Sequence, residues 1–199
     1  MHRTVQNLIN IEDKIKSNLS DLNKNNLPNI IAVSKTFKID NIMPLIEHGH
    51  INFGENKVQE AFDKWALIKE KKPELKLHMI GRLQTNKVKL AVKLFDFIHS
   101  VDSKKLAKKI FDEQNKIKKK VKIFIQINIG DENQKSGVNK DELESLISYC
   151  KELDLDMIGL MCIPPMYIDP LNLFKEMSEI NKSYNFQELS MGMTSDYLA

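Results

Sequence analysis

The chain has 199 residues, of which 42% are hydrophobic and 29% are charged, and its net charge is +3. This length and this balance are typical of one soluble domain, so we expect a single domain over residues 1–199. The small net charge, and a lysine run at 116–120 without interleaved aromatic residues, argue against nucleic acid binding. No apolar window is long enough to span a membrane, and the N-terminal residues lack the apolar core of a secretion signal. We therefore expect a cytoplasmic protein without a membrane partner.

Strands and helices are predicted to alternate along the chain. Apolar residues at three- and four-residue spacing predict a first helix from Leu8 to Leu22. The apolar run from Ile30 to Thr36 is too short for a buried helix and predicts a strand buried on both faces, with Lys35 near its carboxyl end. Six further strands are predicted at 51–53, 77–81, 97–101, 121–128, 157–161 and 188–191.

Helical patterns follow these strands. Asp40 is predicted to cap a short helix that Gly49 ends, Ser103 is predicted to cap a later helix, and Asp169 with Pro170 has the character of a helix start. Seven successive units of a strand followed by a helix, with no linker between them, predict an α/β fold with a parallel sheet.

Two architectures fit a parallel α/β sheet. A doubly wound dinucleotide-binding sheet requires a Gly-x-Gly-x-x-Gly turn after the first strand, whereas residues 34–37 read Ser-Lys-Thr-Phe. A barrel is therefore favoured. A complete eight-fold barrel needs one more strand, which these 199 residues do not contain.

Polar residues cluster at the predicted carboxyl ends of the strands, where barrel enzymes have their sites. Alternation puts Lys35 on the same strand face as Ile31 and Val33. Such a lysine either extends its ammonium to water or, if neutral, captures a carbonyl as an imine. The other polar positions at this end are Asn56, Gly81, Arg82, Ser100, Asp102, Asn128 and residues 190–193.

The segment from Ser190 to Ser195 has two interpretations. Gly192 and an apparent helix start after the seventh strand favour an anion site formed by free backbone N–H groups. A plain turn with a Ser or Thr cap is the alternative. His78 and His99 sit singly on their strands, where a hydrogen-bonded structural histidine is expected rather than a metal ligand.

No metal is expected. Asp131, Asn133 and Glu142 match three positions of a calcium-binding loop. Lys135 and Ser136 stand where that loop needs an oxygen ligand and a glycine, so calcium is excluded.

Seven motifs follow one another at 32–36, 53–60, 78–87, 126–129, 135–137, 159–161 and 189–196. Among them are Ala-Val-Ser-Lys-Thr, Phe-Gly-Glu-Asn and Leu-Ser-Met-Gly-Met. Together they resemble the pyridoxal phosphate homeostasis protein family, whose members are relatives of the N-terminal barrel of alanine racemase. The resemblance covers nearly the whole chain in the family's order.

The resemblance implies a (β/α)8 TIM barrel of the alanine racemase N-terminal type that binds pyridoxal 5′-phosphate (PLP) as an internal Schiff base with Lys35. Asn56 matches a family residue beside the cofactor. The phosphate cradle of the family matches Ser190, Met191, Gly192 and Met193. The family's eighth strand, with its Arg-x-Gly-Thr, has no counterpart in this sequence.

A role in vitamin B6 homeostasis without catalytic turnover is the function that the resemblance implies. Racemase chemistry uses a tyrosine from a second domain on the side opposite the lysine, and this chain has no room for such a domain. We expect a monomer whose partners are PLP and PLP-dependent apo-enzymes. The alternatives are a minimal PLP-dependent racemase or transaminase, and an incomplete barrel that binds no cofactor and serves in an interaction.

Overall fold

The computed structural model describes residues 1–22, 27–130, 136–165 and 168–199. Asp131, Asn133 and Lys135, which were considered for a calcium loop, lie outside the described residues. The strands are β1 (Ala32–Val33), β2 (Asn52–Glu55), β3 (Lys76–Met79), β4 (Phe97–Val101), β5 (Lys122–Gln126), β6 (Asp156–Met161) and β7 (Glu188–Ser190). The helices are α1 (Arg3–Asp21), α2 (Ile39–Glu47), α3 (Val58–Lys71), α4 (Val88–Leu94), α5 (Lys104–Ile117), α6 (Lys140–Glu152) and α7 (Pro170–Ser183), with a 3₁₀ turn at Thr85–Lys87.

The sheet confirms the predicted α/β architecture. Its strands pair in parallel in chain order from β1 to β7, and helices connect them. This arrangement is that of a TIM-like barrel opened along one side. In the described part of the chain, no strand pairs with the outer edge of β1 or of β7. We call the side of the sheet opposite the helices the lumen.

Strand β5 illustrates how sequence alternation sets the two sides of the sheet. Ile123 and Ile125 are fully buried and belong to the core that the helices cover. Phe124, between them, points into the lumen and stacks on His99 with ring centroids 4.3 Å apart. Alternating residues of β5 therefore face the helices and the lumen in turn.

Strand β1 differs from its prediction. The ladder covers only two residues, Val33 is 43% exposed, and Lys35 is exposed. The prediction of a strand buried on both faces is wrong because β1 is an edge strand, and the lumen beside it is open.

Several helix boundaries match the sequence signals. The Ser103 side chain accepts from Leu106 N, Asp169 accepts from Leu171 N with Pro170 in the first turn, and Gly49 has a φ of +95° after α2. Asp40 does not cap α2, since Lys38 precedes the helix and Asp40 lies in its first turn. A helix after β7 is also absent from the described residues, which form turns there.

Strands β6 and β7 approach each other closely at one point. Gly159 pairs with Glu188, and a Cβ at Gly159 would lie 1.8 Å from the Glu188 carbonyl oxygen. Only glycine fits this contact, so Gly159 sets the position of the last strand.

Candidate functional site

Lys35 lies just beyond the carboxyl end of β1. Ser34 N donates to Gly54 O at 2.9 Å, which extends the pairing with β2 up to the residue before Lys35. The Ser34 side chain points towards the helices, and alternation therefore gives Lys35 the lumen side that it shares with Val33. Among the described residues, Lys35 Nζ has no hydrogen-bond or ion-pair partner.

A buried carboxylate lies behind this strand end. Glu55 Oε1 accepts from Ser34 Oγ at 2.8 Å, from Lys64 Nζ at 2.9 Å and from Trp65 Nε1 at 2.9 Å. Lys64 Nζ also donates to Ser34 O at 2.8 Å. Strand β1 is thus fixed to β2 and α3 directly beside Lys35. This cluster was not predicted from the sequence, although the alternation in β2 puts Glu55 on the helix side.

Asn56 follows β2 and is packed against Gly81, which follows β3. A Cβ on Gly81 would lie 2.3 Å from Asn56 O and 2.8 Å from Asn56 Cβ. The glycine therefore lets the two strand ends meet, as predicted for residues at one end of a parallel sheet. Arg82, the next residue, is exposed.

The segment after β7 forms a turn, not a helix start. Asp196 N donates to Met193 O at 3.1 Å, and Met193 N donates to the Asp196 carboxylate. Gly192 has a φ of +86°, a backbone conformation that glycine adopts readily. Met191 and Met193 are 39% and 42% exposed. The cap of this turn is Asp196 rather than Ser or Thr.

The lumen contains a hydrogen-bonded chain of four side chains. The Asn52 Oδ1 to His78 Nε2 distance is 3.1 Å, the His78 Nδ1 to His99 Nε2 distance is 2.9 Å, and the His99 Nδ1 to Ser190 Oγ distance is 2.7 Å. The chain connects β2, β3, β4 and β7. The expectation that both histidines are hydrogen-bonded is confirmed, and they bond each other because β3 and β4 are neighbours and both rings face the lumen.

Burial keeps both imidazoles neutral. The pKa of His78 is lowered to about 4, chiefly by desolvation; Asp96 opposes this shift, and Lys76, Lys69 and His50 contribute to it. Burial, together with the neighbouring His78, also lowers the pKa of His99 well below its ordinary value. Each ring therefore carries one N–H near neutral pH.

The described ranges contain no group of three His, Cys, Asp or Glu side chains able to hold a metal ion. Within the same ranges, no helix has both the length and the apolar character that crossing a bilayer requires.

Comparisons with known proteins identify the family. The sequence profile described as "Alanine racemase, N-terminal domain" matches residues 11–199. The chain is 34% identical over 202 residues to the pyridoxal phosphate homeostasis protein of Haemophilus influenzae, with 96% of this chain and 85% of that protein covered. The chain belongs to this family. It is related to the pyridoxal phosphate homeostasis proteins and has the alanine racemase N-terminal fold.

Solved structures agree with this family assignment. PipY of Synechococcus elongatus PCC7942, whose structure is described with PLP bound, is 31% identical and superposes with a TM-score of 0.74 over 92% of this chain and 91% of its own. Alanine racemase of Clostridium difficile is 15% identical, with a TM-score of 0.64 over 89% of this chain and 49% of its own. The latter likeness supports the fold alone.

Proposed function

We propose that residues 1–199 form a single cytoplasmic domain that binds PLP through Lys35 and serves vitamin B6 homeostasis without catalytic turnover of its own. The observation that carries the proposal is the position of Lys35, without a described partner, on the lumen side at the carboxyl end of β1. The names of the relatives and the PLP-bound state of PipY support the same ligand. The protein would act as a monomer and pass PLP to apo-enzymes.

The residues present fit this group. When bound, PLP would supply an aldehyde group, and the Lys35 amine would be the group that holds it covalently. The Glu55 cluster holds the backbone beside Lys35, which fixes where the amine can reach. Asn56, packed on Gly81, would form the wall of the cofactor site next to Lys35.

The phosphate would lie at the turn after β7. Gly192 lets the backbone approach an anion closely, and Ser190 brings a hydroxyl to the lumen. We assign Ser190, Met191, Gly192 and Met193 to this cradle. The turn does not offer every donor at once, since Met193 N already donates to Asp196.

An optical titration tests the proposal. Addition of PLP is expected to produce the absorption band of a lysine adduct, which borohydride converts to a stable bond located at Lys35 by peptide mass analysis. The Lys35→Ala variant should give no such band, whereas Lys38→Ala, which removes an exposed lysine three residues away, should behave as wild type. An equal band in Lys35→Ala would refute the assignment.

A second assay separates a carrier from an enzyme. The PLP-loaded protein should not interconvert the alanine enantiomers, because one lysine on one side offers no second proton-transfer group on the other side. A carrier should also form no keto acid from either enantiomer. Product formation that disappears in Lys35→Ala but not in Lys38→Ala would establish the alternative of a minimal racemase or transaminase.

A further inference from the structure

The hydrogen-bonded series in the lumen, formed by Asn52, His78, His99 and Ser190, is not needed to hold the aldehyde. Its geometry restricts which atoms of the series can carry protons. All three of its contacts lie between 2.7 and 3.1 Å, so each needs one donor and one acceptor. A neutral imidazole has one of each, and an amide and a hydroxyl can serve as either. The direction of donation in one of the three hydrogen bonds therefore fixes the direction in the other two.

The rings that carry the protons are rigidly held. His78 stacks on Phe97 with centroids 4.3 Å apart and planes 7° apart, and His99 stacks on Phe124 at 4.3 Å and 23°. The exposed fractions of His78 and His99 are 6% and 1%. Neither ring can turn away to water. If the hydrogen bond at one end of the series reverses its direction, both imidazoles must therefore change tautomer.

Two arrangements satisfy every contact. In the inward arrangement, Ser190 O–H donates to His99 Nδ1, and His99 Nε2–H donates to His78 Nδ1. His78 Nε2–H then donates to Asn52 Oδ1, which is the arrangement that the placement of the Asn52 amide implies. In the outward arrangement, the Asn52 amide is turned by 180°, both ring protons are on Nδ1, and His99 donates to Ser190 Oγ. The Ser190 proton is then free to point away from the chain.

We propose that this chain is a reversible hydrogen-bond relay that converts Ser190 from a donor towards His99 into a donor towards a bound phosphate. The proposal rests on the cradle assigned under Proposed function. An anionic phosphate needs donors, and in the inward arrangement the Ser190 proton is already used. If Ser190 alone turned outward, its oxygen and the buried His99 Nδ1 would face each other as two acceptors at 2.7 Å in a partly buried site, which is unfavourable.

The relay conserves protons. Each imidazole is neutral in both arrangements. The Ser190 proton passes to His99 Nδ1, the His99 Nε2 proton passes to His78 Nδ1, the His78 Nε2 proton leaves to water beside the half-buried Asn52, and Ser190 Oγ takes one proton from water, so the switch requires no net proton uptake. The lowered pKa values of both histidines are consistent with this, since they disfavour an imidazolium at either position. His78 and His99 are thus positioning residues that act through Ser190.

Nitrogen-15 NMR of the histidine rings tests the relay in the wild-type protein. Two-bond correlations distinguish the two tautomers, and both rings should be protonated at Nε2 in the free protein and in the presence of pyridoxal, which lacks the phosphate. With PLP, and with inorganic phosphate at high concentration, both should be protonated at Nδ1. Unchanged tautomers in a sample whose absorption band proves that PLP is bound would overturn the relay and leave the proposed function standing.

Matched variants locate the switch. In Ser190→Ala the hydroxyl is lost, so PLP should no longer change either tautomer, whereas Ser195→Ala, an exposed serine of the same turn, should respond as wild type. A tautomer change that persists in Ser190→Ala would show that the relay does not act through Ser190. Absence of both the PLP band and any phosphate response in wild type would contradict the proposed function and the relay together.

Discussion

Among single residues, Glu55 illustrates how a buried charge is used to fix a strand end. Its Oε1 atom accepts three hydrogen bonds, while Oε2 is buried with no hydrogen-bond partner among the described residues. Side chains of Ser34, Lys64 and Trp65 thus converge on one oxygen. Such a cluster is strongly destabilised by loss of one partner, because the remaining charge is left buried.

The substitution Glu55→Gln should lower the free energy of unfolding by about 2–3 kcal/mol, because it leaves Lys64 without its counter-charge and adds amide donors to a buried space. Urea unfolding followed by the fluorescence of Trp65, the only tryptophan, measures this. Glu60→Gln is the control, since it removes an exposed partner of Lys57 and should cost less than about 1 kcal/mol. Equal losses in the two variants would contradict the role given to Glu55.

A second prediction concerns His78, whose pKa in the folded protein is lowered to about 4 while the unfolded chain has the ordinary value of 6.5. Between these values the unfolded state binds the proton more tightly, so the contribution to stability is complete above pH 6.5 and is lost as the pH falls towards 4. The slope should reach about 1.4 kcal/mol per pH unit for this group. Urea midpoints from pH 4 to 7 for wild type and His78→Gln measure it, and parallel curves would contradict the assignment.

At the level of strands and helices, the sequence predicted most elements because their signals are local. The apolar segment at 121–128 predicted β5, and side-chain caps at Ser103 and Asp169 predicted the starts of α5 and α7. The failures occurred where the outcome depends on neighbours. The exposure of β1 depends on what pairs with its edge, and the contact of His78 with His99 depends on register across two strands. Neither feature can be predicted from the residues of a single strand.

Close approach of backbones is another non-local feature. Gly159→Ala should lower the free energy of unfolding by about 2–4 kcal/mol, because the new Cβ would collide with the Glu188 carbonyl and push β7 away from β6. It should also weaken PLP binding, since the proposed cradle follows β7. Ser148→Ala, on the exposed face of α6, is the control and should change neither property by a measurable amount. Full stability and PLP affinity in Gly159→Ala would show that β7 tolerates displacement.

The side chain of Asn181 makes a third non-local contact, with β6 and with the segment before β7. Asn181 of α7 accepts from Leu160 N at 3.1 Å and donates to Phe186 O at 3.0 Å, so one buried side chain fixes β6 and the segment before β7. Asn181→Leu should cost about 2–3 kcal/mol, because it leaves the buried Leu160 N–H and the partly buried Phe186 carbonyl unpaired. Thermal unfolding compared with Asn10→Leu, on the exposed side of α1, measures the difference, and equal melting temperatures would contradict this account.

At the scale of the whole barrel, the proposed PLP site lies between the two edge strands of the sheet, each of which pairs with only one neighbouring strand. Lys35 follows the edge strand β1, and Ser190 ends the edge strand β7, while the strands between them have partners on both sides. Edge strands open most easily, since their outer backbone groups make no ladder bonds. A ligand held at both edges would therefore stabilise the sheet where local opening is most frequent.

Hydrogen exchange measured by mass spectrometry should detect this effect. PLP at about 100 times its dissociation constant should add about 2.7 kcal/mol of protection, concentrated in the peptides that contain β1 and β7 rather than in β4 and β5. Pyridoxal, which has the aldehyde without the phosphate, should protect β1 and leave β7 nearly unchanged. Lys35→Ala should lose the protection at β1, whereas Lys38→Ala should retain both. Uniform protection of all strands, or protection confined to β4 and β5, would contradict a site that joins the two edges.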